Sequence, residues 1–251
     1  MKRVSIIACC LSLWLVPAMA SAEEFSILTF EYAPYSYSAG NGEVKGSAVD
    51  VVREAFRRTG HTASFKVVPF ARALVMLKDG LADGFFTAYK NPEREVYADF
   101  SREVVMPQVQ VLFVNSKSTI EFDGDLAKLG AYRFGAVTDM SYGSVFDAAV
   151  NNKAISKIER VTTQAANFRK LAVNRVDVVP CNRDIGLYEI SELKLQGKIK
   201  YLTPSVQSIP SYIAYSKLRN LGDLRDKLDE ALRDMKSDGT HQRIVEQYGK
   251  Q

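Results

Sequence analysis

Residues 81–100 read LADGFFTAYKNPEREVYADF, with Ser101 following. Gly84–Thr87 is a short apolar run expected to form a strand. A polar turn comes next, then a helix start with Asn91 as N-cap and Pro92 as the first helical residue. Arg94 falls in that first turn, beside exposed backbone N–H groups and the positive end of the helix dipole. A cation there is disfavoured by the helix itself. Two readings stand: a solvated arginine, or one half of an anion site whose ligand lies between Arg94 and the turn.

Outward from this stretch, strand-like and helix-like segments alternate. Phe25–Phe30 reads as a strand, and Ser47–Arg58 as a helix with Val49, Val52 and Phe56 on one face. Ser64–Pro69 (strand) and Ala71–Lys78 (helix) lead into Gly84–Thr87. The rhythm returns at Arg133–Val137, Tyr142–Asn151, Lys157–Val161, Gln164–Val173 and Val176–Cys181. Such alternation predicts mainly parallel sheets flanked by helices, an α/β fold. Gln108–Val114, a long strand, and Pro204–Pro210, which leads into the strand Tyr212–Tyr215, break the rhythm and read as two crossovers between lobes. The C-terminal tail carries an apolar stripe, Leu224, Leu228, Leu232 and Met235, a break at Asp238-Gly239, and a last helix from Thr240. Having no sheet of its own, it is assigned to the first lobe. The division is therefore residues 23–110 with 210–251 as one lobe and 111–209 as the other, against a simple split near 115.

The chain opens MKRVSIIACCLSLWLVPAMASA: a basic start, an apolar run too short for a membrane span, and a small-residue exit. Residues 1–22 are thus expected to be a signal peptide removed near Ala22, which places the mature chain outside the cytoplasm. Cys9 and Cys10 leave with it, so Cys181 has no partner for an internal disulfide. Loss of Lys2 and Arg3 takes the formal charge from +4 to +2. With no dense basic, aromatic-interleaved cluster, nucleic acid is not an expected partner. His61 and His241 lack metal-ligand spacing, and no cofactor motif, nucleophile elbow or phosphate loop is present.

The segment ADGFFTAYKNPEREVYADFS resembles the D-x-x-x-x-x-x-x-T-P-E-R-x-x-x-x-x-F-S stretch of bacterial solute-binding proteins of the polar amino acid type, family 3. The tail resembles that family's closing L-x-x-x-x-x-x-A-L-x-x-x-x-x-D-G-T-x-x-x-I-x-x-x-Y-G. EYAPYSY, GSAVDVVREAF and NRVDVVPCN match as well, so the likeness runs from Glu31 to Gly249. It implies a two-lobed periplasmic-binding-protein fold of type II, with two crossover strands as hinge. It also implies that Arg94 grips the carboxylate of a ligand.

Ligands in open parallel α/β sheets sit at the carboxyl ends of strands. That rule nominates Tyr35 as a flat wall after the first strand, with plain packing as its alternative. After the second strand come Phe70, which matches an aromatic wall position in the family, and Arg72, either a second anion contact or a surface charge. Tyr89 follows the third strand. From the second lobe, Ser141 and Tyr142 precede a helix whose first N–H groups suit an anion, although Ser141 also reads as a plain N-cap. The family turn there is rich in glycine and threonine, and here Met140 stands in the glycine's place. Asn182 falls where amino-acid-binding members carry an aspartate for the ligand ammonium, and Arg183 adds positive charge beside it. Asp184 is expected to face elsewhere.

The resemblance implies a monomeric periplasmic receptor that binds a small carboxylate-bearing solute, an amino acid or related anion, and hands it to an inner-membrane ABC permease. Two alternatives are a sensor subunit of the same fold and a dehydratase-type enzyme, for which Glu31 is the acid placed nearest the cleft.

Overall fold

The GFFTA run, Gly84–Ala88, is buried at all five positions. A strand covered on both faces belongs at the middle of a sheet, and that is where it lies. The computed structural model describes residues 22–138 and 140–249; the signal peptide expected over residues 1–22 lies outside these apart from Ala22. In chain order the elements are β1 (Glu24–Thr29), β2 (Tyr37–Ala39), β3 (Glu43–Lys45), α1 (Ser47–Arg58), β4 (Thr62–Val67), α2 (Phe70–Lys78), β5 (Gly84–Ala88), α3 (Pro92–Glu95), β6 (Ala98–Phe100), β7 (Met106–Asn115), β8 (Phe134–Val137), α4 (Ser144–Asn151), β9 (Ile158–Val161), α5 (Gln164–Ala172), β10 (Val179–Asn182), α6 (Arg183–Glu192), β11 (Ile199–Tyr201), β12 (Gln207–Ser216), α7 (Gly222–Ser237) and α8 (Thr240–Gly249).

β1 pairs in parallel with β4 and β5, as the alternation predicts. β8 pairs in parallel with β9 and touches Val178. The remaining pairings are antiparallel: β2 pairs with β3, β10 and β11 flank β7, and β12 runs against β5, β6 and β7. The two long strands meet over a short stretch in which Gln207 to Ser211 face Gln110 to Met106. This ribbon links two groups of hydrophobic clusters. On one side, α1, α7 and α8 cover β1 and β5 around Ile27, Phe56, Phe86, Leu228 and Leu232, with α2 on the opposite face over Leu28, Leu77 and Phe85. On the other side, Phe134, Phe146, Phe113 and Phe168 anchor two further cores.

The N-terminus of α1 is built against the turn after β1. Gly46 has φ 134°, and its missing side chain is required there: a Cβ would lie 2.3 Å from the Tyr35 carbonyl oxygen. The close approach lets Ser47 N–H donate to the Pro34 carbonyl at 2.9 Å and Ala48 N–H to that of Tyr35 at 3.0 Å. Two of the amides left without partners at a helix start are thereby satisfied. The apolar face of α1 buries Val49, Val52 and Phe56 as the periodicity predicts, each contributing about 1.5–3 kcal/mol. At its far end, Arg58 joins Glu54 at 3.0 Å and Asp238 at 2.8 Å, tying α1 to the turn between α7 and α8.

Candidate functional site

Arg94 lies in the first turn of α3, where Asn91 Oδ1 accepts its backbone N–H at 2.9 Å, the expected N-cap. Its guanidinium lies over the Phe70 ring, 5.2 Å from the centroid, and Nη1 donates to the Tyr89 carbonyl at 2.7 Å. Among the described residues Arg94 joins no carboxylate; adjacent Glu95 is taken by Lys90 at 3.1 Å. A half-buried guanidinium held by an aromatic face and one carbonyl keeps several of its five N–H donors for an anion. The turn that delivers it is irregular. Thr87 has φ 60°, rare for a β-branched residue, and the register opposite shifts between Tyr212 and Ile213. The bulge lies one residue before the end of β5, from which the chain leads to Tyr89.

The aromatic wall is Phe30, Tyr32, Phe70 and Phe85. Phe30 stacks on Tyr32 at 4.9 Å and meets Phe70 edge-on at 5.2 Å, and Phe70 meets Phe85 at 5.6 Å. Burial, then Tyr89, pushes the Tyr32 hydroxyl well above the usual phenol range, so it stays a proton donor.

Tyr35 does not line this wall as expected. It is fully buried, drawn inward by the α1 amides that hold its own and Pro34's carbonyl, and its ring packs 5.5 Å from Tyr32. Tyr32, three positions earlier, takes the half-exposed place. The Tyr35 hydroxyl reaches across to the other side of the cleft, donating to Asp184 Oδ2 at 2.8 Å and lying 3.1 Å from Asn182 Oδ1. Burial and then the Asp184 charge raise its pKa.

Asn182 is placed at the end of β10, against Tyr35 and Gln108, but its groups are occupied. As N-cap of α6 its Oδ1 accepts from Asp184 N–H at 2.9 Å and Ile185 N–H at 3.2 Å. Its Nδ2 donates to Gln108 Oε1 at 2.8 Å, an oxygen also reached by the Tyr32 hydroxyl at 3.3 Å. Asp184, expected to face away, faces Tyr35 instead and is paired with Arg183 at 2.9 Å. A helix beginning directly at residue 183 brings the 184 side chain back towards the cleft.

The structure does not bring three expected residues into this cluster. Arg72 is exposed and joins no ion pair among the described residues. Tyr142 sits in the core built around Phe134 and Phe146, with its hydroxyl 2.8 Å from Val137 N–H and its ring 5.5 Å from Phe146. Exposed Ser141 bonds Asp147, and the N–H groups expected to cradle an anion have acceptors of their own. Tyr142 N–H donates to Asp147 at 3.1 Å, Gly143 N–H to Ser141 Oγ at 3.3 Å, and Val145 N–H to Gln207 at 3.2 Å. Asp147, in the first turn of α4, supplies the negative charge that this helix start favours. Glu31 is exposed, and its carboxylate accepts Ser38 N–H at 3.1 Å. The residues missed from sequence are Tyr32, Gln108 and Asp184. Gln108 had a signal, shared with Gln110: a polar side chain at the inward parity of a largely apolar strand.

These features, an α/β molecule folded about two antiparallel crossovers with an aromatic wall, an uncommitted arginine on one side and a polar helix start on the other, define a two-lobed binding protein. The family model of bacterial extracellular solute-binding proteins, family 3, matches residues 27–251. The chain belongs to that family, whose members are solute receptors; it is not an enzyme. It is 24% identical to the L-cystine-binding protein TcyA of Bacillus subtilis over 238 residues, 91% of this chain and 83% of that protein. Its fold is similar to the unliganded open L-cystine solute receptor of Neisseria gonorrhoeae, with a TM-score of 0.74 and 20% identity over 91% of this chain and 93% of the other. A histidine kinase sensor domain also shares the fold, with a TM-score of 0.67 and 18% identity over 90% and 95% of the two chains. These neighbours place the molecule among type II periplasmic binding folds.

Proposed function

We propose that this chain is the periplasmic receptor of an ABC importer and binds a small carboxylate-bearing solute, an amino acid or a close relative, between its two lobes. The observation that carries this reading is Arg94, laid on Phe70 and held by the Tyr89 carbonyl with no carboxylate partner among the described residues. An anchored cation with spare donors beside an aromatic wall suits an anionic head and an apolar or aromatic body. The relatives named for L-cystine support an amino acid. In this reading residues 23–110 with 210–251 form one lobe and 111–209 the other. Arg94, Phe70, Tyr89 and Tyr32 bind from the first, and Arg183 and Asp184 approach from the second. Asn182 and Tyr35 position these elements. The mature receptor is a monomer released by cleavage near Ala22, and an inner-membrane permease reads its closed form.

The test is a thermal-shift screen of ligand-stripped protein against amino acids, their deaminated analogues and small di-acids. A solute at 100 times its Kd adds about 2.7 kcal/mol, which at this size raises the midpoint by roughly 5–10 °C. Arg94→Ala is expected to abolish the shift, a loss on the order of 2–5 kcal/mol in affinity, with the unliganded midpoint unchanged. A shift that survives in Arg94→Ala removes the carboxylate clamp. The sensor domain of the same fold favours a second reading, in which the closed form is read by a membrane kinase; a permease and ATPase encoded beside the gene decide for import.

A further inference from the structure

We infer that Gln108 on β7 is a solute-contacting donor that selects for a second acceptor oxygen on the bound molecule. The inference rests on the receptor reading above and names the chemistry of the solute's other end.

The orientation of the Gln108 amide follows from a chain of bonds. The cap of α6 decides Asn182 first: two backbone N–H groups, of Asp184 and Ile185, point at one side-chain atom, and only an oxygen accepts them. The other Asn182 atom is therefore Nδ2, and it lies 2.8 Å from Gln108. Only Oε1 accepts there, since the reverse orientation sets two donors against each other. The Tyr32 hydroxyl shares this oxygen. Gln108 Nε2 consequently points the other way with two N–H groups, and among the described residues it has no partner although the side chain is fully buried.

Buried amides are nearly always satisfied, and the place of this one is distinctive. The other unpartnered polar groups, on Gln164, Asn167, Tyr215 and Ser216, belong to α5 or the end of β12. Gln108 alone of them stands on the crossover ribbon, opposite Ile209 of β12, with Tyr32 from the first lobe and Asn182 from the second bonded to it. It belongs to the layer where the lobes touch, bonded to Tyr32, whose ring stacks on Phe30, which in turn meets Phe70, the ring under Arg94. A donor held rigidly on that layer, with nothing to donate to, is complementary to an oxygen brought in by the solute. Solutes with a side-chain amide, hydroxyl or second carboxylate supply it; aliphatic ones leave it unmet.

The experiment measures Kd by titration calorimetry on the full mature chain with two probe sets. L-Glutamine, L-asparagine, L-glutamate and L-cystine carry a second acceptor oxygen, whereas L-methionine, L-leucine and L-norleucine do not. The first set is expected to contain the tightest ligand, with about a ten- to hundredfold preference over its size-matched aliphatic counterpart. Gln108→Glu keeps the acceptor for Tyr32 and Asn182 and replaces the free donor by an oxygen. It is expected to erase that preference and to favour probes ending in N–H donors, such as L-lysine and L-ornithine. Gln108→Met removes the donor without adding charge and is expected to level the two sets. An unchanged ranking, or a uniform loss across all probes in folded variants, overturns the inference while the receptor reading stands. Equal binding of both sets by the natural chain does the same. If no probe in either set binds the natural chain, the receptor reading falls and this inference with it.

Discussion

Tyr35→Phe removes one oxygen atom and leaves the packed ring in place. In the natural chain that hydroxyl donates to Asp184 Oδ2 at 2.8 Å and lies 3.1 Å from Asn182 Oδ1, joining the turn after β1 to the start of α6. Asn182 keeps two backbone donors on the same oxygen and loses little. Asp184 keeps Arg183 at 2.9 Å, and 22% of its side chain is exposed, so water replaces part of the lost bond. A hydrogen bond to a charged group contributes about 1.5–3 kcal/mol, and the lower end applies here. Because the bond crosses between lobes, its loss is expected to fall on their docking rather than on the folding of either core. About 1.4 kcal/mol is a tenfold change in an equilibrium constant. The ratio of docked to separated lobes should therefore fall about tenfold in the unliganded protein, with the urea midpoint little changed. Distances between probes placed on α2 and α5, read by energy transfer, report the ratio directly. An unchanged distance distribution accompanied by a lower midpoint would mean instead that the hydroxyl stabilises a core and not a contact between lobes.

Three further outcomes follow from other parts of the molecule. The Cys181 thiol is buried, and burial pushes its pKa up; it is expected to resist thiol reagents in native protein and to react fully once urea unfolds the chain. Hydrogen bonds from Arg57, then Arg58, hold the Glu54 carboxyl down at about 2. Its stabilisation is present above the unfolded carboxylate value, near pH 4.3, and is lost as pH falls towards 2. With solvent access allowed for, this is on the order of 1 kcal/mol, so Glu54→Gln should flatten the acid limb of a stability–pH curve. Gly186 lies where a Cβ would meet the Phe113 ring at 2.3 Å, between α6 and β7; Gly186→Ala is expected to cost about 1–3 kcal/mol in urea denaturation.

Where the physics is local, the chain declares its structure. Ser47–Arg58 is helical over the residues its apolar spacing predicts, the Asn91 cap forms, and β5 is the buried central strand. The antiparallel part of the sheet and the β2–β3 hairpin are not written in periodicity, because they depend on pairing between distant or very short segments. The candidate site divides the same way. Arg94 is legible because a cation in a helix's first turn is locally unfavourable. Tyr32 and Tyr35 straddle a proline, and only the docking of α1 decides which ring turns inward. Asn182 and Asp184 exchange their expected roles because α6 starts at once after β10, so the asparagine is consumed as a cap. The N-x-x capping pattern was present in the sequence; the abrupt helix start was not.

The strand order has a consequence for a chain that emerges with its amino end first. β5 lies between β1 and β12, and β12 is among the last segments to appear. Ile213 N–H closes on Ser101 Oγ across 112 positions of sequence. Until that segment arrives, β5 carries an open edge, whereas β8, β9, β10 and β11 can pair among themselves and with β7. Assembly is thus vectorial in an inverted sense: the middle of the chain can finish first, and the portion made earliest must wait for the portion made last.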